Sequence, residues 1–339
     1  MSDKLRVAII GTGNWGLNHV RTFAASSQCR VDFLADINYQ NLTKARRYAP
    51  DAELLSDHRP LLERKECEAA VIATPAETHY EIARDFLQAG KHVLVEKPLT
   101  LKVEHARELV ELGRTGKAKL MTGHLLLYHP AVRYLKDYLT RGELGRVYYI
   151  YSSRVNLGAV RRNENALWSF APHDVSVMMY LLDQKPVAGQ AVARSYLQKG
   201  VQDVAFFTLF FLNDVMAHGQ VSWLDPHKIR KLTVVGDKKM AVFDDMESSE
   251  KLRIYDKGVT RMPTYESYGD LLTLRQGDIH LPFVKMTEPL RAECDHFLSC
   301  IREDKPPMTD GSNGLAVVEI LNLLEQSLAR DSALVKMEV

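Results

Sequence analysis

Three glycines, an aspartate, a lysine and a histidine are the residues of this 339-residue sequence whose types and spacing could carry chemistry. Gly11, Gly13 and Gly16 form Gly-Thr-Gly-Asn-Trp-Gly directly after the apolar run Leu5 to Ile10. Between a strand and a helix, such a run lets the backbone approach a pyrophosphate, which the helix N-terminus then meets with free N–H groups. Asn14 and Trp15 occupy the same turn and would lie beside that ligand. Asp36 ends the second apolar run, twenty residues after Gly16, where a carboxylate accepts hydrogen bonds from ribose hydroxyls. A carboxylate there repels a 2′-phosphate, so the cofactor indicated is NAD rather than NADP.

Val95-Glu96-Lys97-Pro98 closes a fourth apolar run. A lysine at the carboxyl end of such a strand can donate to a substrate oxygen and stabilise a developing alkoxide. Pro98 restricts the residue before it. Further on, Trp168-Ser169-Phe170-Ala171-Pro172-His173-Asp174 precedes the helical pattern Val175 to Leu182, placing His173 near a helix start. Histidine titrates near neutral pH and suits removal of the hydroxyl proton when a secondary alcohol loses hydride. Taken singly, Lys97 also fits an exposed lysine after a strand, and His173 a core histidine.

The elements that must position these groups fall into two series. Strands at Leu5–Ile10, Val31–Ala35, Ala69–Ala73 and His92–Val95 alternate with helical patterns near Asn18–Ala25, Gln40–Ala49, His79–Ala89 and Val103–Gly113, the signature of a doubly wound parallel sheet. After about residue 122 comes a helix near Pro130–Thr140. Strands then follow without intervening helices: Val147–Val155, Val187–Ser195, Val204–Leu212, Val215–Trp223, Lys231–Val235, Met240–Asp244 and Lys251–Tyr255. That order predicts a mostly antiparallel, open sheet. We therefore expect an α/β Rossmann domain over 1–122 and an α+β domain for substrate binding and oligomerisation over 123–339. The run at 204–212 is apolar at nearly every position, which predicts a strand covered on both faces, one of them by a partner subunit in a homo-oligomer, dimer or tetramer. Residues 256–288 read as an extended loop region.

Composition excludes several alternatives. With 46% hydrophobic and 26% charged residues and a net charge of +1, the chain is of average globular type, without the basic excess of a nucleic-acid binder. The longest apolar run, about nine residues, is too short for a membrane span. The amino terminus reads as mature cytoplasmic sequence. Cys29, Cys67, Cys294 and Cys300 contain no C-x-x-C pair. Cys294, His296 and Cys300 fall on a helix whose apolar face is Leu290, Cys294, Phe297, Leu298 and Ile301, so no metal site is expected. No tyrosine precedes a lysine by four residues, which excludes the short-chain dehydrogenase arrangement.

Together, GTGNWG at 11–16, ATPAETHYEIA at 73–83, GKHVLVEKPL at 90–99 and the histidine of the second series resemble the Gfo/Idh/MocA family of NAD(P)-dependent oxidoreductases over nearly the whole chain. The resemblance implies a catalytic pair at Lys97 and His173, with Thr74, Pro75, His79 and Glu96 against the dinucleotide. Many members place an aspartate four residues before the histidine, where this chain has Ser169; Asp174 would then have to orient the base. The segments at 123–136, 154–174 and 223–236 resemble the branch acting on nucleotide sugars such as UDP-N-acetylglucosamine and its uronate. That implies oxidation of a sugar C3 hydroxyl, the ketone feeding amino-sugar synthesis. Arg154, Arg161, Arg162, Lys228 and Arg230 could then meet a pyrophosphate; Tyr128, Asn165, Trp168 and Asp174 are further candidates for sugar recognition. The same residues fit a deoxysugar-nucleotide ketoreductase or an inositol or polyol dehydrogenase. A non-catalytic sensor of NAD and sugar is the alternative of another class.

Overall fold

A computed structural model describes residues 4–158, 164–261 and 272–337, which divide into two compact units. Residues 1–128 and 287–319 form one, and residues 129–286 and 320–339 the other.

The first unit is built on β1 (Leu5–Ile10), α1 (Asn14–Ala24), β2 (Cys29–Ala35), α2 (Tyr39–Ala45), β3 (Glu53–Leu55), β4 (Ala69–Ile72), α3 (His79–Gln88), β5 (His92–Glu96), α4 (Val103–Thr115) and β6 (Leu120–Gly123). Its six strands are all parallel in the order β3-β2-β1-β4-β5-β6. Order reverses between β1 and β4, and the carboxyl ends on either side of that switch are where open α/β sheets bind ligands. The central strands are continuous apolar runs because helices cover both faces; all four residues of β4 are buried. Helix α1 begins four residues before the predicted start, immediately after the glycine turn.

In the second unit, α5 (Pro130–Thr140), β7 (Val147–Val155), α6 (Ala166–Leu182), β8 (Ala188–Arg194), β9 (Val204–Phe210), β10 (Met216–Ser222), β11 (Ile229–Gly236), β12 (Met240–Asp244), β13 (Leu252–Arg261) and β14 (Leu272–His280) are followed later in the chain by β15 (Val335–Lys336). They make a nine-stranded sheet, β14-β13-β12-β11-β7-β10-β9-β8-β15, antiparallel except between β7 and β10. One expectation changes here. Residues 256–288, read as loop, contain the β13–β14 hairpin, paired through Val259 and Leu274. It lies at the sheet's edge with Val259 and Leu274 both exposed, so it lacks the buried apolar alternation that marks a strand in sequence. Within the chain, strand β9 is covered on one face: Ala205, Phe207 and Leu209 are buried, whereas Phe206, on the face expected to meet a partner subunit, is 42% exposed. Helix α6 packs on β7, β9 and β10. The opposite face of the sheet presents Tyr149, Tyr151, Val192, Phe206 and Met216, all exposed.

Two long helices complete the fold, α7 (Pro289–Arg302) and α8 (Gly311–Ala329). Cys294, Phe297 and Leu298 of α7 join the core formed by Val7, Ile9 and Phe23, as their spacing predicted. Among the described residues, no helix is long and apolar enough to cross a membrane, and no group of three His, Cys, Asp or Glu side chains could hold a metal ion.

Candidate active site

The glycine turn is shaped by what a side chain would strike. Gly11 has φ +84°, and a Cβ there would come within 2.8 Å of the Ala73 backbone. A Cβ on Gly16 would fall 1.9 Å from the Gly11 carbonyl oxygen, so α1 can pass this close only without one. At Gly13 an added Cβ meets nothing within 4 Å: the backbone there borders open space. Gly13 is also the N-cap of α1 and no side chain caps the helix, leaving the N–H groups that follow, from Asn14 onward, available to an anion.

Gly11, Gly13, Asp36, Thr74 and Pro75 line one cavity of about 960 Å³, together with Asn38, Asn41, Asp57, His58 and Arg59, which the sequence reading missed. Asp36 is held rigidly. Its Oδ2 accepts from the Thr12 amide (2.7 Å), the Thr12 hydroxyl (3.1 Å) and Asn41 Nδ2 (3.3 Å), and its Oδ1 from the Asn38 amide (2.8 Å). His79 lies buried, its Nδ1 2.8 Å from the Pro98 carbonyl and its Nε2 2.9 Å from that of Thr74. Burial outweighs the two carbonyls and lowers its pKa. Thus His79 ties together the loops after β4 and β5 and positions the cavity wall.

A second cluster surrounds Lys97. The buried Glu96 carboxylate takes His19 Nε2 at 2.6 Å and Trp15 Nε1 on Oε1, while Oε2 accepts the Lys97 amide at 3.2 Å. Burial pushes Glu96 upward, but His19, Trp15 and the Lys97 charge together hold it below the usual carboxylate range. His19 stands four residues after Trp15 on the same face of α1, a spacing that could have identified it. His124, just past β6, is buried with Nδ1 2.6 Å from Asn313 Oδ1. Desolvation drives its pKa down to about 4, against the pull of Asn313 and Glu96. Tyr128 is a core residue, 1% exposed, with its hydroxyl 3.0 Å from Thr309 Oγ1; the structure does not bring it to this cluster.

In the second unit, α6 starts nine residues before the predicted Val175, so His173 lies well inside the helix. Asn165 is the N-cap, its Oδ1 accepting from the Trp168 amide at 3.0 Å. Pro172 is accommodated within the helix at the cost of one backbone hydrogen bond. Asn165 Nδ2 and Trp168 Nε1 both donate to Glu325 Oε1, at 2.8 and 3.0 Å. These two side chains fix the start of α6, which explains their polar character without a sugar.

Asp174 is paired with Arg154. Both its oxygens are taken by Arg154, Nε to Oδ2 at 2.8 Å and Nη2 to Oδ1 at 3.1 Å, and the pair is buried. Charge and geometry are satisfied inside the unit, so Arg154 is not a free phosphate donor. Arg230 is its direct partner across β7 and β11. Burial, then the Arg154 charge, lowers the Arg230 pKa, with Asp245 and Asp174 opposing; its Nη1 lies 3.9 Å from Asp245 Oδ2. Lys228 is exposed in the turn before β11. Arg161 and Arg162 lie outside the described residues.

Comparison with known proteins accords with this geometry. Residues 5–124 match the oxidoreductase family with an NAD-binding Rossmann fold, and residues 132–242 match the Gfo/Idh/MocA C-terminal domain. UDP-N-acetylglucosamine 3-dehydrogenase of Acidithiobacillus ferrooxidans is 28% identical over 93% of this chain and 94% of its own length. A solved structure of that organism's enzyme has a TM-score of 0.80 at 24% identity, covering 97% of this chain and 98% of the other. Inositol 2-dehydrogenase 2 of Saccharopolyspora erythraea is 30% identical over 64% of this chain and 66% of its own. The chain belongs to the Gfo/Idh/MocA family of oxidoreductases, and its first unit is the family's NAD-binding Rossmann domain.

Proposed function

We propose that this oxidoreductase oxidises the C3 hydroxyl of a nucleotide sugar, UDP-N-acetylglucosamine or its uronate, to the 3-ketone, with Lys97 and His173 as catalytic residues. The observation that carries the reading is the similarity to a UDP-N-acetylglucosamine 3-dehydrogenase along both units rather than the Rossmann half alone. NAD supplies the hydride acceptor. His173 removes the hydroxyl proton on its imidazole, and the Lys97 ammonium donates a hydrogen bond to the same oxygen as negative charge develops. Glu96 positions Lys97 through the backbone amide. Arg230 and Lys228 meet the substrate pyrophosphate, while Arg154 and Asp174 hold the sheet and helix beneath it. The ketone suits a following transamination to a 3-amino sugar, and we place the reaction in the cytoplasm.

A free polyol is the second reading, favoured by the similarity to inositol 2-dehydrogenases. Anaerobic incubation with NAD and a panel of UDP-sugars and polyols, followed at the NADH absorbance band, separates the two. Reduction of NAD with UDP-N-acetylglucosamine and none with inositols is expected; the reverse overturns the nucleotide-sugar reading. The same proposal includes a homo-oligomer formed across the open sheet face of Tyr149, Tyr151, Phe206 and Met216, since exposed contiguous apolar groups of this kind cover a partner surface. A monomer in analytical ultracentrifugation removes it.

A further inference from the structure

Glu293 on α7 is fully buried, and neither of its carboxyl oxygens has a hydrogen-bond partner among the described residues. Its neighbour in sequence, Cys294, has Sγ 3.9 Å from His19 Nδ1, and the other nitrogen of that ring holds Glu96. Glu293 therefore sits one residue from the network that seats Lys97, and its charge would act directly on Glu96. The titratable groups that act on it, or on its neighbour in sequence, are Glu96 at the end of β5, Cys294 beside it and, through the Cys294 thiol, His19 on α1.

Two buried carboxyl groups that repel each other through a dry interior do not readily both ionise; the one that has hydrogen-bond donors keeps the charge. Glu96 has three donors, from His19, Trp15 and Lys97. Glu293 has none. We propose that Glu293 is a proton-holding positioning residue that acts through Glu96: by staying neutral it confines a single negative charge to the carboxylate on which Trp15, His19 and the Lys97 amide are seated. A second charge at Glu293 repels the first, draws a proton onto Glu96 and loosens those three groups at the NAD-binding site. Desolvation and the Glu96 charge both push Glu293 well above the ordinary carboxyl range, which agrees with this assignment. The proposal draws on the catalytic reading of Lys97 only for its consequence in turnover, and its test needs no sugar.

The sign of the linkage follows from the direction of that shift. The folded protein keeps a proton on Glu293 that the unfolded chain releases above about pH 4.3, so this group costs stability progressively as pH rises above that value. Glu293→Gln, and Glu293→Met as an apolar isostere without an amide to satisfy, remove the cost. Both variants are expected to melt level with one another relative to wild type near pH 4 and to gain on it by about 4 °C or more by pH 8. NAD affinity, measured by calorimetry on the same proteins as pH is raised into the alkaline range, is expected to fall at least about fivefold in wild type beyond any fall in the variants. A melting difference that is constant with pH places a charge on Glu293 and overturns the proposal. Parallel alkaline loss of NAD affinity in wild type and both variants overturns the link to Glu96.

Discussion

The two units use polar residues in opposite ways. In the first, the groups at the strand ends are held by their neighbours yet still face the cavity: Asp36 by Thr12, Asn38 and Asn41, and the Thr74 and Pro75 wall by His79. In the second, the most suggestive polar side chains are spent on the fold itself. Arg154 neutralises Asp174, and Asn165 and Trp168 tie α6 to Glu325. A cofactor site made largely of backbone tolerates no side chain at Gly11 or Gly16 of its turn, whereas a substrate site made of side chains can be read only after internal pairs are subtracted.

The largest expected effects test whether the two units nevertheless share one reaction. Lys97→Met and His173→Ala should each lower turnover by about 10⁴-fold, roughly 5.5 kcal/mol of transition-state stabilisation, with NAD affinity nearly kept for His173→Ala. Near-normal single-turnover rates in either would break the pairing. Next comes Asp174→Leu, which leaves the Arg154 guanidinium buried and unpaired; chemical denaturation should show a loss of about 4 kcal/mol. A loss of turnover with unchanged stability would instead return Asp174 to the role of orienting His173.

A smaller effect, on pH, belongs to the first unit. Below about pH 6.5 the unfolded chain protonates His124, whereas the folded ring refuses the proton until about pH 4. Stability therefore falls as pH drops through that window, by about 3 kcal/mol at its lower end. His124→Asn should flatten this part of the pH–stability curve whatever it does to the stability at neutral pH. An unchanged slope from pH 6.5 to 4 would show that other buried histidines, such as His129 in the second unit, carry the acid sensitivity.

What could be read in the sequence follows the same division. The glycine turn, Asp36 and the strand before Lys97 are short, contiguous signals whose meaning is set by local geometry, and the parallel sheet follows from alternating periods. Helix α1 starts four residues before the sequence pattern indicates, because Gly13, Asn14 and Gly16 have weak helix propensity and the geometry of the turn starts it there. The start of α6 was hidden by Pro172. Groups that meet across long separations left no trace: His19 and Glu96 are 77 residues apart, and Cys294 and His19 are 275 apart. The β13–β14 hairpin was missed because an exposed edge requires no apolar alternation.

The smallest predicted effect bears most directly on the substrate. Arg230 is half-buried, faces Arg154 across the sheet and, among the described residues, has a loose partner in Asp245 at 3.9 Å. Arg154 is already neutralised by Asp174, so among the described residues of this patch the proposal assigns the incoming anion to Arg230. Its burial makes that charge costly without a partner. Arg230→Ala should raise the KM for a UDP-sugar by about tenfold, near 1.4 kcal/mol, with little change in kcat, because a pyrophosphate is bound alike in ground and transition states. Lys228→Ala, at an exposed position, should change it less than about threefold. The discriminating comparison is with a polyol, which carries no phosphate. If Arg230→Ala alters KM for both substrate classes equally, the arginine supports the sheet rather than the nucleotide, and the second unit holds its anion elsewhere.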